Sequence, residues 1–210
     1  MIKHVDLKEF RERLQTLETI ENARPFLCDG SPLTAQVFIV GFNPATSLKH
    51  SFWSYWSDDH GFDRSQFMKD YLFWRRMKGA RPRIQAIVDQ FPNGTCLETN
   101  ICSMPTARAA QLTKEDRRTA AFEFLLESVK PEIVFLHSNE PIRFLHHRTG
   151  VEAMTVEPQQ AVWKGQAMLL SGKPGPLWRL SLDKARRIGI HLQHSAGILA
   201  TARNFIQGPC

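Results

Sequence analysis

Two asparagines stand where side-chain amides can do chemistry. Asn43 lies in Gly41-Phe42-Asn43-Pro44-Ala45 and Asn100 in Glu98-Thr99-Asn100-Ile101-Cys102. A carboxamide both donates and accepts, so Asn43 can hold a water and Asn100 can make paired hydrogen bonds to a nucleobase edge. Gly41 lets the backbone approach a ligand, and Pro44 fixes the turn. Taken singly, each asparagine has a plainer reading, an Asn-Pro turn closing a strand or a side chain capping its own loop. The cluster Phe52, Trp53, Tyr55 and Trp56 either stacks on a ligand or fills a core beneath a loop. His191 and His194 are spaced i,i+3 with no third ligand nearby, so no metal site is expected.

The elements around these residues alternate. Leu7, Phe10, Leu14 and Leu17 have helical spacing within 6–22, with Asp6 as cap. Residues 36–41 read as a buried strand running into Asn43-Pro44, and 95–99 as a short strand running into Asn100. Residues 63–77 and 82–91 read as helices, and 113–129 as a helix opened by Thr113 and Asp116 in the manner of a capping box. Ile133–Leu136 is the strongest strand, followed by a short helix at 141–147. Val162–Leu170 reads as strand, with a hairpin break at Lys164-Gly165. A helix at 181–193 precedes a helical tail near 198–206. Strands separated by helices imply a mostly parallel sheet with helices on both faces. Ligands in such folds gather at the carboxyl ends of the strands, which here are Gly41–Ser47, Asn100–Thr106, His137–Asn139 and Ser171–Pro176.

The 210 residues are 42% hydrophobic and 23% charged, which excludes a disordered chain. No apolar run reaches the roughly 18–20 residues of a spanning helix, and the N-terminus lacks the apolar stretch of a signal peptide. Cys28, Cys96, Cys102 and Cys210 form no CxxC pair, which argues against a four-thiolate metal or iron–sulfur site. A reduced, cytoplasmic protein is expected. The net charge of +6 is concentrated: Arg64 to Arg83 holds seven basic residues and one acid, Asp70, and the remainder balances. A second basic stretch runs from Lys173 to Arg187. Such clustering suits a polyanion, although a helix showing a solvated basic face gives the same count.

Order and spacing together carry a resemblance. Val40-Gly41-Phe42-Asn43-Pro44-Ala45 resembles the first motif of the uracil-DNA glycosylase superfamily, closest to the Gly-x-Asn-Pro form of its mismatch-specific and single-strand-selective branches. Cys96-Leu97-Glu98-Thr99-Asn100-Ile101-Cys102 is similar to the later strand whose asparagine reads the flipped pyrimidine. The likeness runs from about residue 36 to 193. It implies a single domain over 1–210, with a helical extension at 1–35 and a helical tail at 194–210. The implied fold is an α/β three-layer sandwich whose mostly parallel central sheet has about four strands flanked by helices.

The resemblance also assigns roles. Asn43 positions the water that attacks the sugar carbon, Gly41 and Phe42 give backbone contact to the base, Asn100 binds the base edge, and Phe52 stacks on it. Trp53, Trp56 or Phe62 are alternatives to Phe52. The second family motif, a histidine or asparagine followed by Pro-Ser, falls at Leu169-Leu170-Ser171-Gly172-Lys173-Pro174. Ser171-Gly172 would grip a phosphate, Lys173 would contact DNA, and Leu177 would be the apolar wedge that props a duplex open. Leu170 stands where the polar residue belongs. His137, or His194 in an alternative placement of the motif, is a candidate substitute.

The implied function is a DNA-repair glycosylase that flips uracil or a related deaminated base and hydrolyses its N-glycosidic bond. It would need no cofactor or metal, act as a monomer on single- or double-stranded DNA, make no membrane contact and associate with the nucleoid if bacterial. Two other readings stand beside it. One is a catalytically weak or inactive member of the same fold that binds nucleic acid, and the other is a nucleotide- or nucleoside-processing enzyme unrelated to DNA.

Overall fold

A computed structural model of the chain describes residues 6–19, 22–45, 50–92 and 94–206, with side chains described as far as Gly197. Its helices are α1 Leu7–Leu17, α2 Arg64–Trp74, α3 Arg81–Val88, α4 Ala120–Val129, α5 Asn139–Thr149 and α6 Leu182–Ile206. Its strands are β1 Phe26–Leu27, β2 Val37–Gly41, β3 Trp56–Ser57, β4 Gly61–Phe62, β5 Cys96–Asn100, β6 Ile133–His137, β7 Gln159–Trp163 and β8 Gln166–Lys173. Six strands form one mixed sheet in the order β1-β5-β2-β6-β8-β7, and β3 and β4 make a separate small hairpin.

The parallel block β5-β2-β6-β8 is the four-stranded sheet expected from the alternation. The antiparallel edges β1 and β7 bring the count to six. β1 escapes notice because two residues carry no period, whereas β7 is the first arm of the expected Lys164-Gly165 hairpin, begun three residues earlier than Val162 by Gln159-Gln160-Ala161. Since β1 pairs with β5, and α1 buries Phe10 and Leu14, the first 35 residues contribute to sheet and core.

Along the parallel strands successive side chains point to opposite faces, and both faces are apolar, as buried parallel sheets require. Phe38, Val40, Leu97, Val134 and Leu136 join a core with α1, α4 and α5. Val37, Ile39, Cys96, Ile133 and Phe135 join a second core with α3 and α6. Helices thus cover both faces, an arrangement compatible with three layers.

The helices α1, α2 and α3 end three to five residues before their expected bounds, and two further helices depart more. The segment expected as a helix from 113 is a turn until residue 120. Thr113 and Asp116 exchange backbone-to-side-chain bonds at 2.9 and 3.2 Å, and Lys114–Arg118 supplies no apolar stripe to bury. The two C-terminal helices are one, α6, because nothing between 193 and 198 breaks it. Among the described residues no helix is long and apolar enough to cross a membrane. The expected loop positions 46–47 and Cys210 lie outside the described residues.

Candidate functional site

The carboxyl ends of β2, β5 and β6 open onto one cavity of about 420 Å³. Asn43, Asn100 and His137 all line it, each carried just past or at the end of its strand. Gly41 lies between them: it is in register with Asn100. A Cβ built on it would fall 2.6 Å from Asn100 Oδ1 and 3.0 Å from His137 Nε2. The absent side chain is what leaves room for both the amide and the imidazole against the central strand.

Asn43 is held from behind. Its Nδ2 donates to Thr106 Oγ1 at 2.8 Å, to the Thr106 carbonyl at 3.1 Å and to the Pro44 carbonyl at 3.2 Å. These bonds fix the amide in one orientation and leave its oxygen as the acceptor for a ligand. Among the described residues neither the Asn100 side chain nor the His137 ring has a hydrogen-bond partner, so both polar ends are available to one. The backbone beyond His137 is strained: Ser138 has φ 83° and ψ 165°, a region nearly exclusive to glycine. Its N–H donates to the Lys173 carbonyl at 3.1 Å, which holds the end of β6 against β8.

Behind these groups lies a buried charge cluster. Glu98, in the middle of the buried strand β5, accepts from Arg81 at 2.6 and 2.8 Å and from Arg64 at 2.5 Å. Burial alone would raise the Glu98 carboxyl, but Arg64 and Arg81 override it and hold it at about 2. Arg24 also lines the cavity. Burial and the neighbouring Arg81 lower it to about 10 against the pull of Glu98, so it remains charged at neutral pH. Burial is also the main reason His137 is lowered to about 4; Glu98 opposes the shift and Arg81 adds to it. The cavity wall is therefore built of Arg24, Lys78 and Arg81 against Glu98, and the His137 imidazole, neutral at pH 7, lines the same cavity.

The other residues expected at the site lie elsewhere. Phe52 is buried in an aromatic core, stacked on Phe62 at 5.0 Å and edge-on to Phe26 at 5.0 Å. The ring that reaches the cavity is Phe26, which Phe52 supports from behind, together with Tyr71. Phe42 packs on the core beneath Arg117, and its carbonyl accepts from Cys102 N at 2.8 Å. Ser171 is not at a strand end, because β8 runs on to Lys173; its hydroxyl donates to the Val156 carbonyl at 2.5 Å. Gly172 N donates to the Thr155 carbonyl at 2.7 Å, and a Cβ there would strike the Ala153 carbonyl. Ser171-Gly172 therefore has no free donor for a phosphate. Lys173 Nζ donates to the Pro174 carbonyl at 2.5 Å and does not line the cavity. Leu177, expected as a wedge, is only 1% exposed, packed in the α3–α6 core. His194 is exposed on α6, away from the cavity.

Arg24, Tyr71 and Arg81 are the cavity residues that motif reasoning misses. Glu98 carried the signal for the arginines, since a carboxylate in a buried strand demands cations. No family model and no curated protein matches the chain.

Proposed function

We propose that the protein is a DNA N-glycosylase of the uracil-DNA glycosylase kind, which releases a deaminated base from a flipped nucleotide. The observation that carries this reading is the convergence of Asn43, Asn100 and His137 on one base-sized cavity. In this reading Asn43, tied to Thr106, presents its oxygen to a water aimed at the sugar carbon. The water oxygen bonds to that carbon while the carbon–nitrogen bond breaks, and the base leaves with the electron pair. The proton lost by the water returns, through solvent, to the departing base. Asn100 pairs with the base edge, and the neutral His137 donates to a base oxygen as negative charge develops there. Arg24 and Arg81 lower the energy of that anion by field alone, an effect strongest in a water-poor cavity. His137 thus supplies the polar partner absent at Leu170.

The cationic wall also favours a second reading, a free nucleotide whose phosphate faces Arg24 and Lys78. The two part in one experiment. Uracil-, hypoxanthine- and xanthine-containing oligonucleotides, and the matching free deoxynucleotides, are incubated with the protein and scored for released base. The proposal expects abasic sites in the oligonucleotides, a loss of about 10²-fold or more in Asn43→Ala, and little change in binding. Release from the free nucleotides alone supports the second reading, and no release from any substrate overturns both.

A further inference from the structure

The segment between Tyr71 and Lys78 is tethered to the cavity at both ends, since both residues line it. Between them the chain exposes Leu72, Phe73, Trp74 and Met77, with Phe73 78% and Trp74 53% accessible. The two rings meet edge to face at 4.8 Å. α2 ends here, capped by Arg75 N donating to the Tyr71 carbonyl at 2.8 Å, so the aromatics sit on its last turn. No acid occurs from Tyr71 to Val88, whereas Arg75, Arg76 and Lys78 are exposed and form no ion pair among the described residues. Four large apolar side chains exposed within six residues, two of them rings in contact, mark an interaction surface.

We infer that residues 72–78 form a stacking platform for single-stranded nucleic acid, with Phe73 and Trp74 holding unpaired bases beside the one in the cavity and Arg75, Arg76 and Lys78 holding the phosphates. Interleaved aromatic and basic side chains are the means by which proteins hold unpaired strands without reading sequence. A strand delivering a base to the cavity must also leave it, and Tyr71 and Lys78, which bracket the aromatic pair, line that cavity. The inference rests on the base-pocket reading for that path, and it sets a strand preference for single over double strands. It also gives the apolar rim to Phe73 and Trp74 in place of the buried Leu177.

The test uses the full chain and a fluorescein-labelled thymine-only oligonucleotide of about 15 residues, which offers the cavity no deaminated base. Binding is read by anisotropy over a series of salt concentrations. Stacking on aromatics is sequence-tolerant, so Phe73→Ala/Trp74→Ala should weaken binding about tenfold or more with an unchanged salt slope. Arg75→Ala/Arg76→Ala should flatten the slope. Both pairs are exposed, so equal melting temperatures confirm that the variants fold. Duplex of the same length should bind less tightly than single strand. Wild-type affinity in the aromatic variant, or no binding by the wild type at low salt, overturns the inference. So does partitioning onto phosphatidylserine vesicles in preference to the oligonucleotide, or a wild-type dimer that the aromatic variant dissolves. Base release that ignores the aromatic pair defeats this inference alone. Aromatic-dependent binding without base release from any substrate defeats the glycosylase reading alone.

Discussion

Gly41→Ala tests the candidate site with one methyl group. That methyl would lie 2.6 Å from Asn100 Oδ1 and 2.9 and 3.0 Å from His137 Cε1 and Nε2, where ordinary contact begins at 3.4 Å. The amide must therefore retreat by about 0.8 Å and the ring by about 0.5 Å, because steep repulsion leaves no other accommodation. The strand itself has little freedom to yield, being hydrogen-bonded to β5 on one side and β6 on the other. A misplacement of about 1 Å can cost about 10²-fold in rate, so single-turnover base release should fall between about tenfold and a hundredfold. Stability should fall, by no more than about 2–3 kcal/mol. Replacing glycine removes unfolded-state freedom, a gain of about 0.4–1 kcal/mol, against an overpacking cost of about 1–3 kcal/mol. The assay is alkaline cleavage of a uracil-containing oligonucleotide under single-turnover conditions, with melting temperature as the control for folding. A folded Gly41→Ala protein that releases base within about twofold of the wild-type rate would refute the roles given to Asn100 and His137.

Other outcomes follow from the buried charges and the core. Glu98→Gln leaves Arg64 and Arg81 buried without their counter-charge and should cost about 3–5 kcal/mol, read as a lowered urea midpoint; a loss below about 1 kcal/mol would show that the cluster is solvated. Acid should destabilise the protein in two stages. Between pH 6.5 and about 4 the unfolded chain takes up a proton that the folded His137 refuses, so stability falls with pH by about 3 kcal/mol in total. The Glu98 contribution, present above the ordinary carboxyl range near 4.5, is lost as pH falls toward 2. Urea titrations of wild type and His137→Gln from pH 7 to 4 should differ in slope, and parallel curves would contradict the first stage. Leu177→Ala should cost about 2–5 kcal/mol by opening a core cavity while leaving oligonucleotide affinity unchanged, and weakened binding at unchanged stability would restore Leu177 as a wedge.

β2 and β6 were legible because each is short and apolar, with β-branched and aromatic residues, and runs into a turn. Val37–Gly41 and Ile133–His137 lie within a residue of their expected bounds. The site was legible to the extent that it lies at those strand ends: Asn43, Asn100 and His137 could each be named from position in the chain. What failed were residues whose role depends on partners remote in sequence. Phe52 and Leu177 each open a single 3-10 turn, and only the packing of β4, β1 and α6 around them decides that they face inward. Ser171 was misplaced because β8 continues three residues past its last large apolar side chain, Leu170. Small residues such as Ser171 and Gly172 sustain a strand where a neighbouring backbone lies close, and nothing local announces that neighbour.

Charge was the most visible feature of the sequence and the one whose meaning changed most. Of the seven cations from Arg64 to Arg83, Arg64 and Arg81 are turned inward onto Glu98, and Arg83 Nε donates to the Leu180 carbonyl at 2.9 Å. Lys69, Arg75, Arg76 and Lys78 remain exposed. One run of sequence thus supplies two separate electrostatic devices, a buried one beside the cavity and a solvated one at its rim. Salt separates them, since exposed charges are screened within about 8–10 Å at ordinary ionic strength and buried ones much less. Raising salt should therefore weaken oligonucleotide binding with a slope set by the rim cations. The rate of base release from a saturated complex should stay constant, because Arg24 and Arg81 act from inside. A release rate at saturation that fell in parallel with affinity would mean that the surface cations alone provide the field, and the buried cluster would then be a device of stability only.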